Sequence, residues 1–241
     1  MNALLAQTMM ELRLTLRNGE GVLLTMVVPV VLLVFFAAIG LAPDGYDRPI
    51  DFLLPGMLAL AVMSTGLVSL SIRTAYERSY GVLKRLGSTP LSRPQLIGAK
   101  VLSVIALELI EIVILVGIAS VAYGWRPTGA FAVALLALII GTATFSGIGL
   151  MMAGALRPET TLAGANGLYL LFLLVGGIVW PVDRLPGFLA TPARVLPSSA
   201  FADALRETLS STPSIPVMNL AFLALWGLAA LVIASRTFRW E

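Results

Sequence analysis

Six predominantly apolar stretches of about 20 residues limit what this chain can fold into. They run over 22–41, 52–72, 101–123, 130–156, 162–180 and 215–234. A helix of about 20 residues crosses a bilayer core, whereas a buried helix of a soluble protein needs only about 10–14 apolar residues. Inside lipid the backbone must satisfy its own polar groups, so a span is either a helix or a strand of a closed barrel. Barrel strands alternate in polarity over about 10 residues, and these stretches show no such alternation. The reading is an all-α integral membrane protein with six transmembrane helices in one transmembrane domain, residues 1–241. Composition agrees: 58% of residues are apolar and 12% charged, against about 25% charged in soluble domains.

Before the first span, Leu5, Met9, Leu12 and Leu16 recur at helical spacing, with Gln7, Glu11 and Asn18 opposite and Arg13 and Arg17 at the flank. That pattern predicts an amphipathic helix in the membrane interface over 1–20, despite Leu4 and Leu14 off the apolar face. The first apolar run exceeds the 7–15 residues usual in a signal peptide and reads as a retained span.

Six spans put both termini on one side. That side holds eleven bases: Arg13, Arg17, Arg73, Arg78, Lys84, Arg85, Arg93, Lys100, Arg157, Arg236 and Arg239. The other holds five: Arg48, Arg126, Arg184, Arg194 and Arg206. The basic side is cytoplasmic by the positive-inside rule, and Asp44, Asp47 and Asp51 gather in the first outer loop.

His and Cys are both 0. Imidazole and thiolate metal sites are excluded, as are Ser–His and Cys–His nucleophiles. A net charge of +3 gives no footprint for nucleic acid. No G-x-x-x-x-G-K-[ST] occurs in the sequence, so the chain has no P-loop with which to cradle ATP phosphates.

Within span 3, Glu108 and Glu111 are three residues apart and share a face. Charged carboxylates at that depth cost about 2.5–3.5 kcal/mol on insertion scales. They read equally as a polar or proton-sensitive site and as structural contacts with Arg side chains or backbone. Ser64, Thr65 and Asn166 are further candidates for a substrate path, although such residues more often bond neighbouring backbone.

Two connecting segments carry structure of their own. In the cytoplasmic segment 74–100, Val82, Leu83 and Leu86 form the apolar side of a short helix beside Lys84 and Arg85, broken by Gly87–Pro90. It suits docking into a partner's groove, or contact with anionic lipid. The outer segment 181–213 holds five prolines, Pro181, Pro186, Pro192, Pro197 and Pro213, and still has apolar runs. Structureless loops of that length are uncommon, so two short helices that re-enter the outer leaflet are predicted.

The run E-R-S-Y-G-V-L-K-R-L-G-S-T-P-L-S-R-P-Q-L-I-G-A-K resembles the signature of ABC type-2 transporter permeases. The residues that carry it are Glu77, Arg78, Gly81, Leu83, Leu86, Pro90, Leu91 and Lys100. Ser79 stands where an acidic residue is frequent. The resemblance extends to the interfacial helix, the spans, the P-x-x-x-L-P step at 181–186 and the basic tail. It implies that Glu77, Arg78, Gly81, Leu83, Leu86 and Pro90 form a coupling helix seated in a cytoplasmic P-loop ATPase. It implies two ATPase copies, which bind the ATP and Mg, and a second permease, identical or a paralogue. No cofactor is then expected in this chain, and no catalytic residue.

The function expected on these grounds is export of a hydrophobic or amphipathic substrate, such as a drug or lipid, across a bacterial inner membrane. Two alternatives stand beside it: a permease for polysaccharide or glycolipid, and a membrane-embedded enzyme that uses Glu108 and Glu111.

Overall fold

The computed structural model describes residues 3–41, 43, 46, 48–126, 129–210, 212 and 214–237. Asp44, Asp47, Pro213 and Arg239 lie outside the described residues. Every regular element among those described is helical.

Helix α1 (Ala3–Arg17) is followed by α2 (Gly19–Ala38), which begins at Asn18, whose side chain accepts the Gly21 N–H. Then come α3 (Pro49–Val62), a π-helical segment (Met63–Ser69) and α4 (Leu70–Ser79), continuous over 31 residues. The short α5 (Val82–Gly87) leads to α6 (Arg93–Tyr123), α7 (Phe131–Ala155) and α8 (Pro158–Val175). After a single 3-10 turn (Val182–Arg184) the chain ends in α9 (Gly187–Ala193), α10 (Pro197–Leu209) and α11 (Val217–Thr237).

Among the described residues, five helices are long and apolar enough to cross a membrane: Gly21–Ala38, Pro49–Ser79, Arg93–Tyr123, Phe131–Ala155 and Val217–Thr237. The expected span 162–180 is the exception. Its helix starts earlier, at Pro158, and stops at Val175. Glu159, Thr160, Thr161 and Asn166 dilute its first half. At its end Gly176 caps the helix and Gly177 turns it away at φ +76°, a backbone region that L side chains rarely adopt.

The core is built round α3 and α7. Ile50 and every residue from Phe52 to Val62 are buried. On α7, small residues let three neighbours approach closely. A Cβ on Gly141 would strike the Phe201 ring of α10 at 2.5 Å. One on Gly147 would lie 3.1 Å from Ala230 on α11, and one on Gly149 only 2.9 Å from Leu67 O in the π-helical segment. Thr144 Oγ1 shares its one proton between Ile140 O of its own helix, at 2.8 Å, and Leu223 O of α11, at 2.9 Å, linking α11 to α7 without a charge.

The Pro-rich segment after α8 folds into two short helices, α9 and α10, and α10 is buried nearly throughout against α3, α7 and α11. Arg206 of α10 is drawn in with it. Its guanidinium donates to Ile178 O at 2.8 Å and lies 4.3 Å from the centre of the Phe52 ring.

Candidate functional site

The signature segment is held by charges that the fold places under it. Lys100, on the first turns of α6, is wholly buried at 0% exposure. Its Nζ meets Glu11 Oε1 at 2.9 Å and Glu77 Oε2 at 2.6 Å. Arg73 closes the ring, at 3.0 Å from Glu11 and 3.5 Å from Glu77; it also donates to Thr15 Oγ1. Two acids and two bases from α1, α4 and α6 thus neutralise one another, as buried charge requires. Burial acts to raise the Glu11 carboxyl, but the Lys100 ammonium and Arg73 guanidinium outweigh it and hold the group below the ordinary carboxylate range.

The orientation of α1 follows. Its polar side, expected to oppose the apolar face, turns inward: Glu11 is buried, while Leu5, Met9 and Leu16 are exposed. Through Glu11 the polar face is turned to α6, and the apolar face stays exposed.

Arg78 donates to Gly154 O and Leu156 O at the end of α7, where carbonyls lack helical partners and carry partial negative charge. Gly81, at φ +72°, makes the turn into α5. Leu83 is fully buried in a cluster with Leu70, Leu91, Leu96, Ile97, Val104, Leu150 and Ala234. Leu86 is half-buried and Pro90 exposed. Sequence grouping put Val82, Leu83 and Leu86 on one apolar side. The structure divides them, with Leu83 pointing inward and Val82 exposed to 40% beside Tyr80 at 74%.

Above this lies a groove of about 560 Å³ between the α1–α2 junction, α4 and α8. Val22, Val28, Val68, Ile72 and Leu107 form apolar walls, and Asn18, Ser64, Arg73, Tyr76, Asn166 and Tyr169 supply polar points. Of the sequence-predicted path residues, Ser64 and Asn166 line this groove. Thr65 turns the other way, its hydroxyl 3.1 Å from both oxygens of Glu111. Glu108 contacts Thr142 of α7. Neither acid has a basic partner among the described residues; their contacts are hydroxyls.

Three functional features escaped the sequence reading. The start of α6 lies eight residues before the predicted 101, because Ser92 and Gln95 form a reciprocal capping box with Pro94 in the first turn. The S-x-P-Q pattern was the available signal. The pairing of Lys100 with Glu11 had only the position of Glu11 on its helix to suggest it. Burial of Arg206 had no local signal.

These helices and the charge-pinned connection from α4 to α6 define a multi-pass membrane domain of transporter type. The chain belongs to the ABC-2 type transporter family, whose membrane domain matches residues 2–210. It is 29% identical over 217 residues to the putative transport permease YvfS of Bacillus subtilis, covering 86% of this chain and 85% of that protein. It is 20% identical over 176 residues to the probable multidrug ABC transporter permease YbhS of Escherichia coli, covering 71% of this chain and 47% of that one. It is 31% identical over 137 residues to the linearmycin resistance permease protein LnrN of B. subtilis, covering 56% of this chain and 35% of LnrN. The chain therefore spans under half the length of the latter two. The family's membrane domain lacks the ATPase domain, and a permease of this kind works with an ABC ATPase subunit.

Proposed function

We propose that this chain is half of the transmembrane pathway of an ATP-driven exporter of hydrophobic or amphipathic molecules, such as drugs or lipids. The groove carries the reading. Its volume of about 560 Å³ lies in the range of sites for drug-sized ligands, about 300–1,000 Å³. Its walls are mainly apolar, and Ser64 and Asn166 give it polar points. A second permease, a copy or a paralogue, covers the groove between α2 and α8. The multidrug and resistance names of distant relatives favour such cargo over sugar chains.

The segment Glu77–Pro90 is the coupling helix in this reading, with two ATPase subunits below the pair. Leu83, Glu77 and Arg78 seat it on the permease, while Tyr80, Val82 and Arg85 meet the ATPase. The outer helices α9 and α10 form a re-entrant plug, and α8 is the sixth crossing. The complex lies in a bacterial plasma membrane with both termini in the cytoplasm.

The experiment is purification with the cognate ATPase, then ATPase assays against a panel of drugs and lipids. Stimulation by at least one amphiphile, reduced several-fold by Asn166→Leu, is the expected result. Full ATPase activity without stimulation, or stimulation unaffected by that change, overturns the reading.

A further inference from the structure

Glu108 and Glu111 lie one turn apart on α6, at 3% and 2% exposure. The hydrogen-bond inventory round Glu108 limits its state. Thr142 Oγ1 carries one proton. It is shared between Leu138 O, at 2.9 Å, and Glu108 Oε2, so Thr142 serves one carboxyl oxygen and only in part. The other carboxyl oxygen, Oε1, is buried without a partner, and so is Ser146 Oγ. Both reach the same place: a Cβ on Gly66 would lie 3.0 Å from Ser146 Oγ and 3.7 Å from Glu108 Oε1. A charged carboxylate with one bare oxygen in hydrocarbon is far costlier than a neutral acid beside a hydroxyl.

Among the described residues the surroundings supply no counter-charge. The one titratable group that acts on Glu108 is Glu111, on α6 itself, and it is an acid. The π-helical segment and α7 carry no charged residue, and α2 carries none from Gly21 onward. Asp51 of α3 pairs with Arg48 at the outer end, and Glu11, Arg73, Glu77 and Lys100 pair with one another at the cytoplasmic end. Hydroxyls lead from there to the acids. Thr65, Ser69, Arg73 and Ser103 wall a cleft of about 10 Å³, close to the room one water needs, and Thr65 bonds Glu111.

The backbone at this point is unusual. Leu70 N–H bonds to Thr65 O, five residues back, and such π turns concentrate at functional sites.

We propose that Glu108 and Glu111 form a proton-binding site inside the membrane, filled from the cytoplasmic side through Ser69 and Thr65. With its proton in place, Glu108 is neutral and accepts from Thr142 at Oε2, which ties α6 to α7. When the proton leaves toward Glu111 and the cleft, the carboxylate draws on Thr142 and Ser146 as donors, and α7 shifts against the π-helical segment. The site links protonation to the packing of the helices behind the groove, whatever the cargo.

The test treats the full chain, in membranes with its ATPase, with dicyclohexylcarbodiimide, which adds whole to a protonated carboxyl in an apolar setting. Mass spectrometry is expected to find the adduct on Glu108, at least about tenfold weaker at pH 9 than at pH 5, and absent in Glu108→Gln. Infrared absorption checks the same point without reagent access: the C=O stretch of a neutral carboxylic acid is present in the parent, fades as pH rises and is missing in the variant. A neutral-acid band absent at every pH, or label and band both unchanged across that range, overturns the proposal. Neither readout needs a cargo, so failure here is distinct from failure of the transport reading.

Discussion

Lys100 has no exposed surface and two carboxylates within 3 Å, so its removal leaves Glu11 and Glu77 facing each other with Arg73 alone. Breaking a buried pair from one side costs about 3–5 kcal/mol. Lys100→Met is therefore expected to lower the melting midpoint of the purified permease clearly, and Glu11→Gln added to it is expected to restore most of the loss. Thermal scans of the three variants check this; equal melting of parent and Lys100→Met refutes it. The Glu11 carboxyl also sets a pH limit. Its folded value lies below the ordinary 4.5, so its contribution is complete above that pH and is lost as pH falls through the folded value. Hydrogen exchange in residues 3–17, corrected for intrinsic rate, is expected to show α1 loosening below about pH 4.5, a response that Glu11→Gln flattens. The sequence marked Glu11 as the polar side of a helix and Lys100 as the end of a motif. Their meeting depends on how α1 lies on α6, and no local pattern encodes a contact 89 residues apart.

At the scale of elements, α5 has two faces with different work. Leu83 packs into the permease, so Leu83→Asp buries an unpaired carboxylate and is expected to cost about 3 kcal/mol or more. Val82 is exposed, and Val82→Asp is expected to leave the melting midpoint within about 1 °C while cutting recovery of the ATPase several-fold. Co-purification measured beside thermal scans separates the two; equal loss of stability in both variants places Val82 in the seat rather than at the interface. Close packing of α7 on the π-helical segment makes a parallel case. A Cβ on Gly149 comes within 3.0 Å of two backbone oxygens, so Gly149→Ala is expected to cost about 1–3 kcal/mol by overpacking, read as a lowered melting midpoint. Helix existence and order were legible because apolar runs and Pro and Gly breaks are local signals. The positions of helix ends were less so. Ser92 and Gln95 started α6 well before its apolar run, and Gly176–Gly177 stopped α8 before its apolar run was complete.

For the whole molecule, everything turns on α8. It has 18 residues, a length of about 27 Å at 1.5 Å per residue, just short of a hydrocarbon core of about 30 Å. A helix of this size crosses if the bilayer thins or if flanking residues complete the path, and here residues 176–181 run on from its end toward the Pro-rich segment. The absence of cysteine makes a clean assay possible. Ser88, just after α5, and Ser210, just after α10, each become the sole thiol in Ser88→Cys and Ser210→Cys. With six crossings, a membrane-impermeant maleimide reaches position 210 in intact cells and reaches position 88 only after the cells are opened. With five, α8 lies on the cytoplasmic side, the segment that follows it stays inside, and both positions are protected until lysis. The count of bases does not favour six, because five crossings would send Arg236 and Arg239 outward and bring Arg184, Arg194 and Arg206 inward, giving twelve and four in place of eleven and five. The packing of α10 carries the six-span expectation: α10 is buried against α3, α7 and α11, and Ala130 at the start of α7 donates to Thr208 O of α10, which sets it at the end of the bundle that holds Asp51 and Arg126. Labelling of Ser210→Cys in intact cells is the expected outcome, and protection of that residue before lysis would reduce the membrane topology to five spans.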